Sequence, residues 1–151
     1  MEVRKVMSRP VHSVRPRTTI REAAGLMRKY DVGVLAVEEN GLPIGIVTDR
    51  DIVIRILPEW PDAGTRPVSD AMSLAPISCF ADQDVSLAAV IMGDEQIRRL
   101  PVLSRSNRLV GILSIGDIAE DVSEELAGEA LGEICEGRAR PTRERRVRPP
   151  E

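Results

Sequence analysis

Apolar positions along the first 57 residues switch between helical and strand-like spacing. Ile20, Ala23, Ala24, Met27 and Tyr30 recur on one helical face, and Thr19 stands three residues ahead of Glu22 as a capping box requires, so a helix is predicted from about Ile20. Val34 to Val37 is a short apolar run that reads as a buried strand. The Asn40-Gly41 step then signals a tight turn, and Ile44 to Val47 reads as the returning strand of a hairpin. A second helix is predicted from Thr48, burying Ile52, Val53, Ile56 and Leu57.

This order recurs about 65 residues later. Val6-Met7-Ser8 answers Ala71-Met72-Ser73, and Ile20, Ala23, Ala24 and Met27 answer Val85, Ala88, Ala89 and Met92. Leu35-Ala36-Val37 answers Leu100-Pro101-Val102, and Gly45-Ile46-Val47-Thr48 through Asp51-Ile52 answers Gly111-Ile112-Leu113-Ser114 through Asp117-Ile118. The second copy predicts a helix from about Asp84 to Gln96, strands near Leu100 to Leu103 and Leu109 to Leu113, and a helix after Ser114. The fold class is therefore α+β, two α-β-β-α repeats, divided as 1–64 with its linker, 65–136, and a tail of 137–151. The segment from Pro58 to Pro67 has a connector's proline and glycine content, with Trp60 expected to fold back over the core.

Composition adds exclusions. The chain has 151 residues, 42% of them hydrophobic and 30% charged, the balance of a globular protein. No apolar run approaches the roughly 20 residues that span a bilayer, and no signal-peptide core follows Met1, so a cytosolic location without membrane contact is expected. Of the net charge of −3, the tail from Gly137 to Glu151 carries +4, leaving −7 for the body. An acidic body argues against a nucleic-acid-binding core. The tail, rich in arginine and proline, is expected to be disordered and solvated, with contact to nucleic acid the weaker reading. Cys79 and Cys135 have neither metal nor redox-motif spacing and read as thiols, a disulfide remaining open; the single His12 excludes a multi-histidine metal centre within one chain. No Ser-His-Asp set, Walker loop or Gly-x-Gly-x-x-Gly is present, so no catalysis is expected and no cofactor is required.

The repeated Thr48-x-x-Asp51 and Ser114-x-x-Asp117 place a hydroxyl and a carboxylate in one helical turn, at an end that attracts anions. A carboxylate there repels phosphate but accepts from a diol, so each aspartate suits a ribose. The same spacing also serves as a capping box, in which both side chains simply satisfy the helix end. Gly45 and Gly111 are expected either to admit close backbone approach or to mark a turn or bulge.

Two α-β-β-α units, each ending in Gly-apolar-apolar-Thr/Ser-x-x-Asp, resemble the cystathionine-β-synthase (CBS) domain, and the pair resembles a Bateman module from about Val3 to Leu131. The resemblance implies two sheets packed about a pseudo-twofold axis, clefts holding AMP, ADP, ATP or S-adenosylmethionine, and a homodimer; an NAD(H) sensor and a ligand-free interaction module are its alternatives. It places Val11, Ile77, Ile46 and Ile112 as aliphatic walls for adenine or as plain core, with Ser13 and Cys79 nearby. Arg98, opposite Gly33 in the first repeat, stands where the resemblance implies a basic residue that reaches ligand phosphate; Arg50, opposite Gly116 in the other copy, is a second phosphate candidate or a solvated first-turn residue. The implied role is regulation, with output through an unidentified protein partner or the tail, and the difference between the repeats predicts clefts that differ in affinity or in the phosphate length they accept.

Overall fold

The computed structural model describes residues 1–74 and 77–147, with side chains described as far as residue 136. It separates into two compact units. One comprises Arg9–Ile77 and Leu103–Val110; the other comprises Met1–Ser8, Ser78–Val102 and Gly111–Glu151. They are called here the first-repeat and second-repeat units.

In the first-repeat unit, β1 (Ser13–Val14), β2 (Val34–Glu39), β3 (Leu42–Thr48) and β4 (Ser73–Leu74) form one sheet in that order. β1 runs parallel to β2, while the β2–β3 and β3–β4 pairs are antiparallel. The hairpin turns at Asn40 and Gly41, both with positive φ (54° and 78°), which an Asn-Gly step adopts at low cost. α1 (Ile20–Tyr30) opens on the expected capping box of Thr19 and Glu22. It buries Ile20, Ala23 and Met27 against Leu35, Val37 and Val47 of the sheet. Ala24 and Tyr30, expected on the buried face, are exposed; half-buried Leu26 completes the apolar stripe.

α2 (Asp49–Asp51) passes directly into a π-helical turn, Ile52–Ile56, in which the Leu57 N–H donates to the Ile52 carbonyl. Ile52 and Ile56 are buried as expected, but Val53 and Leu57 are each 56% exposed. The widened turn keeps residues 52 and 56 on the inward side and rotates their neighbours out. Trp60 packs against the core, as expected, with the Arg66 guanidinium 4.7 Å above its ring.

The second-repeat unit carries β5 (Cys79–Phe80), α3 (Val85–Glu95), β6 (Arg99–Leu103) and β7 (Leu109–Ser114) apart from their hairpin tip Leu103–Val110, and α4 (Ile115–Asp121), with strand order β5-β6-β7. Asp84 caps α3 by accepting from the Ser86 N–H and hydroxyl, and the Met1 ammonium lies 3.0 Å away; these donors hold its carboxyl well below the usual carboxylate range. The core contains Val85, Ala88, Met92, Leu100, Val102, Leu113 and Ile118, together with Val3, Val6 and Met7 from the chain's beginning.

α5 (Glu124–Val147) is an element the sequence reading lacked. Ser123 starts it by accepting from the Leu126 N–H, and Ala127, Ala130 and Ile134 are buried where it packs on α3 and α4. The tail expected to be disordered therefore has a helical backbone as far as Val147, consistent with the helix propensity of its Glu, Ala and Arg residues. No helix among the described residues is long and apolar enough to cross a membrane.

Candidate functional site

Each repeat ends its hairpin at a hydroxyl and turns into a helix at an aspartate, and the two corners match. Thr48 closes β3, and its Oγ accepts from the Asp51 N–H at 3.1 Å while Asp51 Oδ2 accepts from the Thr48 N–H at 2.9 Å. Ser114 closes β7, and the same exchange with Asp117 spans 3.1 and 2.8 Å. Both pairs are half-buried capping boxes. Capping occupies one oxygen of each carboxylate. Oδ1 remains, and its surroundings differ between the corners. Asp117 Oδ1 accepts from the Ser8 hydroxyl at 3.2 Å. Asp51 Oδ1 lies 3.7 Å from Arg55 Nη2, and that guanidinium also donates to the Ala71 carbonyl at 2.9 Å and to Ser73 Oγ at 3.2 Å.

Ser8 and Ser73 occupy equivalent places, and each lies beside the hairpin of the other repeat. Ser73 pairs with Ile46 in the β3–β4 ladder, and Ser8 exchanges two backbone bonds with Ile112, at 2.8 and 3.1 Å. Gly45 and Gly111 make these approaches possible. A Cβ on Gly45 would stand 2.5 Å from the Ser73 carbonyl oxygen, and one on Gly111 would run into the Met7 side chain and lie 3.2 Å from the Ser8 carbonyl. The self-alignment found Ser8 and Ser73 as equivalents, but one-dimensional spacing could not show that each lead-in crosses to the opposite repeat.

The remaining expected residues are divided. Arg98 directly precedes β6, is exposed, and its carbonyl accepts from the Ile115 N–H at 3.0 Å, so its backbone abuts the start of α4. Arg50 is exposed on α2. Val11 is half-buried just ahead of β1; the His12 carbonyl accepts from the Ala36 N–H at 3.2 Å, so the chain enters the sheet at the end where Val34 pairs with Thr48. Ile77 is 38% exposed, Ile46 half-buried and Ile112 buried. Cys79 is core: it is 2% exposed, and burial pushes its thiol up to about 11. Ser13 sits level with Ala36, two residues along β2 from the Thr48 end, and its hydroxyl lies 3.3 Å from a Glu38 oxygen. It lines a separate cavity of about 800 Å³ between α1 and the β2–β3 turn, which none of the other expected site residues line. Asp49 and Arg55 are neighbours of the corner that sequence reasoning missed. Among the described residues no group of three or more His, Cys, Asp or Glu is placed to hold a metal ion.

Duplicated hairpin-to-helix corners, each closed by the lead-in of the other copy, define a protein built from a pair of α+β repeats that exchange their opening segments. The CBS domain model matches the chain twice, over residues 3–58 and 68–124, and the chain belongs to the CBS domain family. It is 41% identical over 133 residues to the CBS domain-containing protein YhcV of Bacillus subtilis, a match covering 87% of this chain and 94% of that protein. Among solved structures it is similar to a CBS domain protein from Pyrobaculum aerophilum complexed with AMP, with 28% identity and a TM-score of 0.71 over 85% of this chain and 99% of the other. It is also similar to the CBS domain pair of protein MJ0100 in complex with 5′-methylthioadenosine and S-adenosyl-L-methionine, with 27% identity and a TM-score of 0.69 over 79% and 93% of the two chains.

Proposed function

We propose that the chain is a non-catalytic sensor of adenosine nucleotides, AMP, ADP or ATP, held by sugar contacts to Asp51 and Asp117. The observation that carries this reading is the Ser8 hydroxyl on Asp117 Oδ1. A half-buried carboxylate with one oxygen committed to the backbone offers the other to a hydroxyl donor, and a ribose hydroxyl can replace Ser8 with the same chemistry. Capping and sugar binding are thus compatible uses of one aspartate. Half-buried Val11 and Ile46 and exposed Ile77 supply aliphatic surface for the base, and exposed Arg98 supplies charge for phosphate. The complexes of the relatives with AMP and with S-adenosylmethionine support an adenosyl ligand as the common part.

Binding regulates only through differential affinity for two arrangements of the protein, here of the repeats or of two chains in a homodimer. A purely structural module is the second reading, favoured by the fact that both capping boxes complete themselves without a ligand. Thermal unfolding with AMP, ADP, ATP, NADH and S-adenosylmethionine separates the two. A ligand at one hundred times its dissociation constant adds about 2.7 kcal/mol, roughly 5–10 °C in a chain of this size. Asp51→Ala and Asp117→Ala combined remove that shift on the sensor reading; a melting temperature unmoved by every adenosyl compound supports the structural one.

A further inference from the structure

Resting on the reading of Asp51 and Asp117 as sugar-holding groups, we infer that the two corners sort adenosyl ligands by charge: the Ser114–Asp117 corner takes phosphorylated nucleotides, and the Thr48–Asp51 corner takes uncharged or cationic adenosyl thioethers and sulfonium compounds. The observation is a juxtaposition in the first-repeat unit. The Asp49 N–H donates to the Gly33 carbonyl at 3.0 Å, and the Asp49 carboxylate folds over the bare Cα of Gly33, where a methyl group would stand 3.0 Å from its oxygen. The same backbone bond joins Ile115 to Arg98 in the second-repeat unit, also at 3.0 Å. One scaffold position therefore presents a carboxylate beside glycine in one corner and an isoleucine beside arginine in the other.

The other charges of the two corners stand at other positions of the scaffold. Arg55 is committed to Asp51, the Ala71 carbonyl and Ser73, so its charge is already balanced. Arg50 is exposed and follows Asp49, one of whose oxygens accepts the Arg50 N–H at 2.8 Å. Asp121, the counterpart of Arg55, is exposed and lies a full helical turn beyond Asp117. With the sugar fixed at the aspartate, a 5′-substituent crossing the strand end meets Asp49 in one corner and Arg98 in the other. A phosphate is repelled by the first and paired by the second, whereas a thioether is indifferent and a sulfonium is attracted by Asp49.

Calorimetric titration of AMP and 5′-methylthioadenosine into the full chain tests this. The expected result is one tight AMP site per chain and two methylthioadenosine sites. Asp49→Asn, an exposed change, should strengthen the weak AMP site at least tenfold (about 1.4 kcal/mol) and leave methylthioadenosine unchanged. Arg98→Gln should weaken the tight AMP site by a similar factor while methylthioadenosine is again unaffected. Equal filling of both corners by AMP, or an Asp49→Asn protein with wild-type AMP binding, overturns the charge sorting while leaving the sensor reading intact. Absence of binding by both compounds overturns the two together.

Discussion

Cys79 and the aspartates of the two corners illustrate how a residue's surroundings decide its chemistry. Cys79 occupies the position equivalent to Ser13, and its spacing suited either a pocket or a core. Burial settles the matter: the thiol is pushed from 9.0 up to about 11. Between those values the unfolded chain loses this proton and the folded one keeps it, so folding stability should fall as pH rises from about 9 to 11. Denaturant melts of the wild type across that window should show the decline, and Cys79→Ala should flatten it; an unchanged slope in the variant would place the effect elsewhere. The capping roles of Thr48, Asp51, Ser114 and Asp117 were legible because capping is local and three-residue spacing encodes it. Arg55 and Asp49 were not, because their significance lies in bonds to Ala71, Ser73 and Gly33, which only the folded chain brings near.

At the scale of elements, both hairpins and the helices α1, α3 and α4 follow from periodicity, since each buries a face whose spacing is written in the chain. The two-residue strands β1, β4 and β5 carry no period that could announce them, and their pairing is set by tertiary contact. The π-helical turn after Asp51 reversed the expected burial of Val53 and Leu57 because an apolar run alone does not specify helical phase. The lead-in crossing depends on glycine. Gly45→Ala drives a methyl group against the Ser73 carbonyl, a backbone atom that cannot rotate aside, and should cost about 1–3 kcal/mol in urea denaturation. Gly111→Ala chiefly meets the flexible Met7 side chain and should cost less. Equal, small losses in both variants would show that the lead-ins can shift freely.

For the whole molecule, repeats in sequence and compact units in space are different partitions. The family model divides the chain at residues 58 and 68, whereas each unit of the fold borrows the opening segment of the other repeat. This exchange places Val3, Val6 and Met7 in the core of the second-repeat unit, alongside the hydroxyl that reaches Asp117. On the proposed reading, a ligand that displaced Ser8 would act on the segment that supplies Val3, Val6 and Met7 to this core. The most direct measurement is a crystal structure of the chain grown with AMP. A ribose hydroxyl is predicted to lie about 2.5–2.7 Å from Asp117 Oδ1 in place of Ser8 Oγ, with the Ser114 cap intact. AMP bound elsewhere, such as in the cavity lined by Ser13, with the Ser8–Asp117 bond undisturbed, would contradict the account.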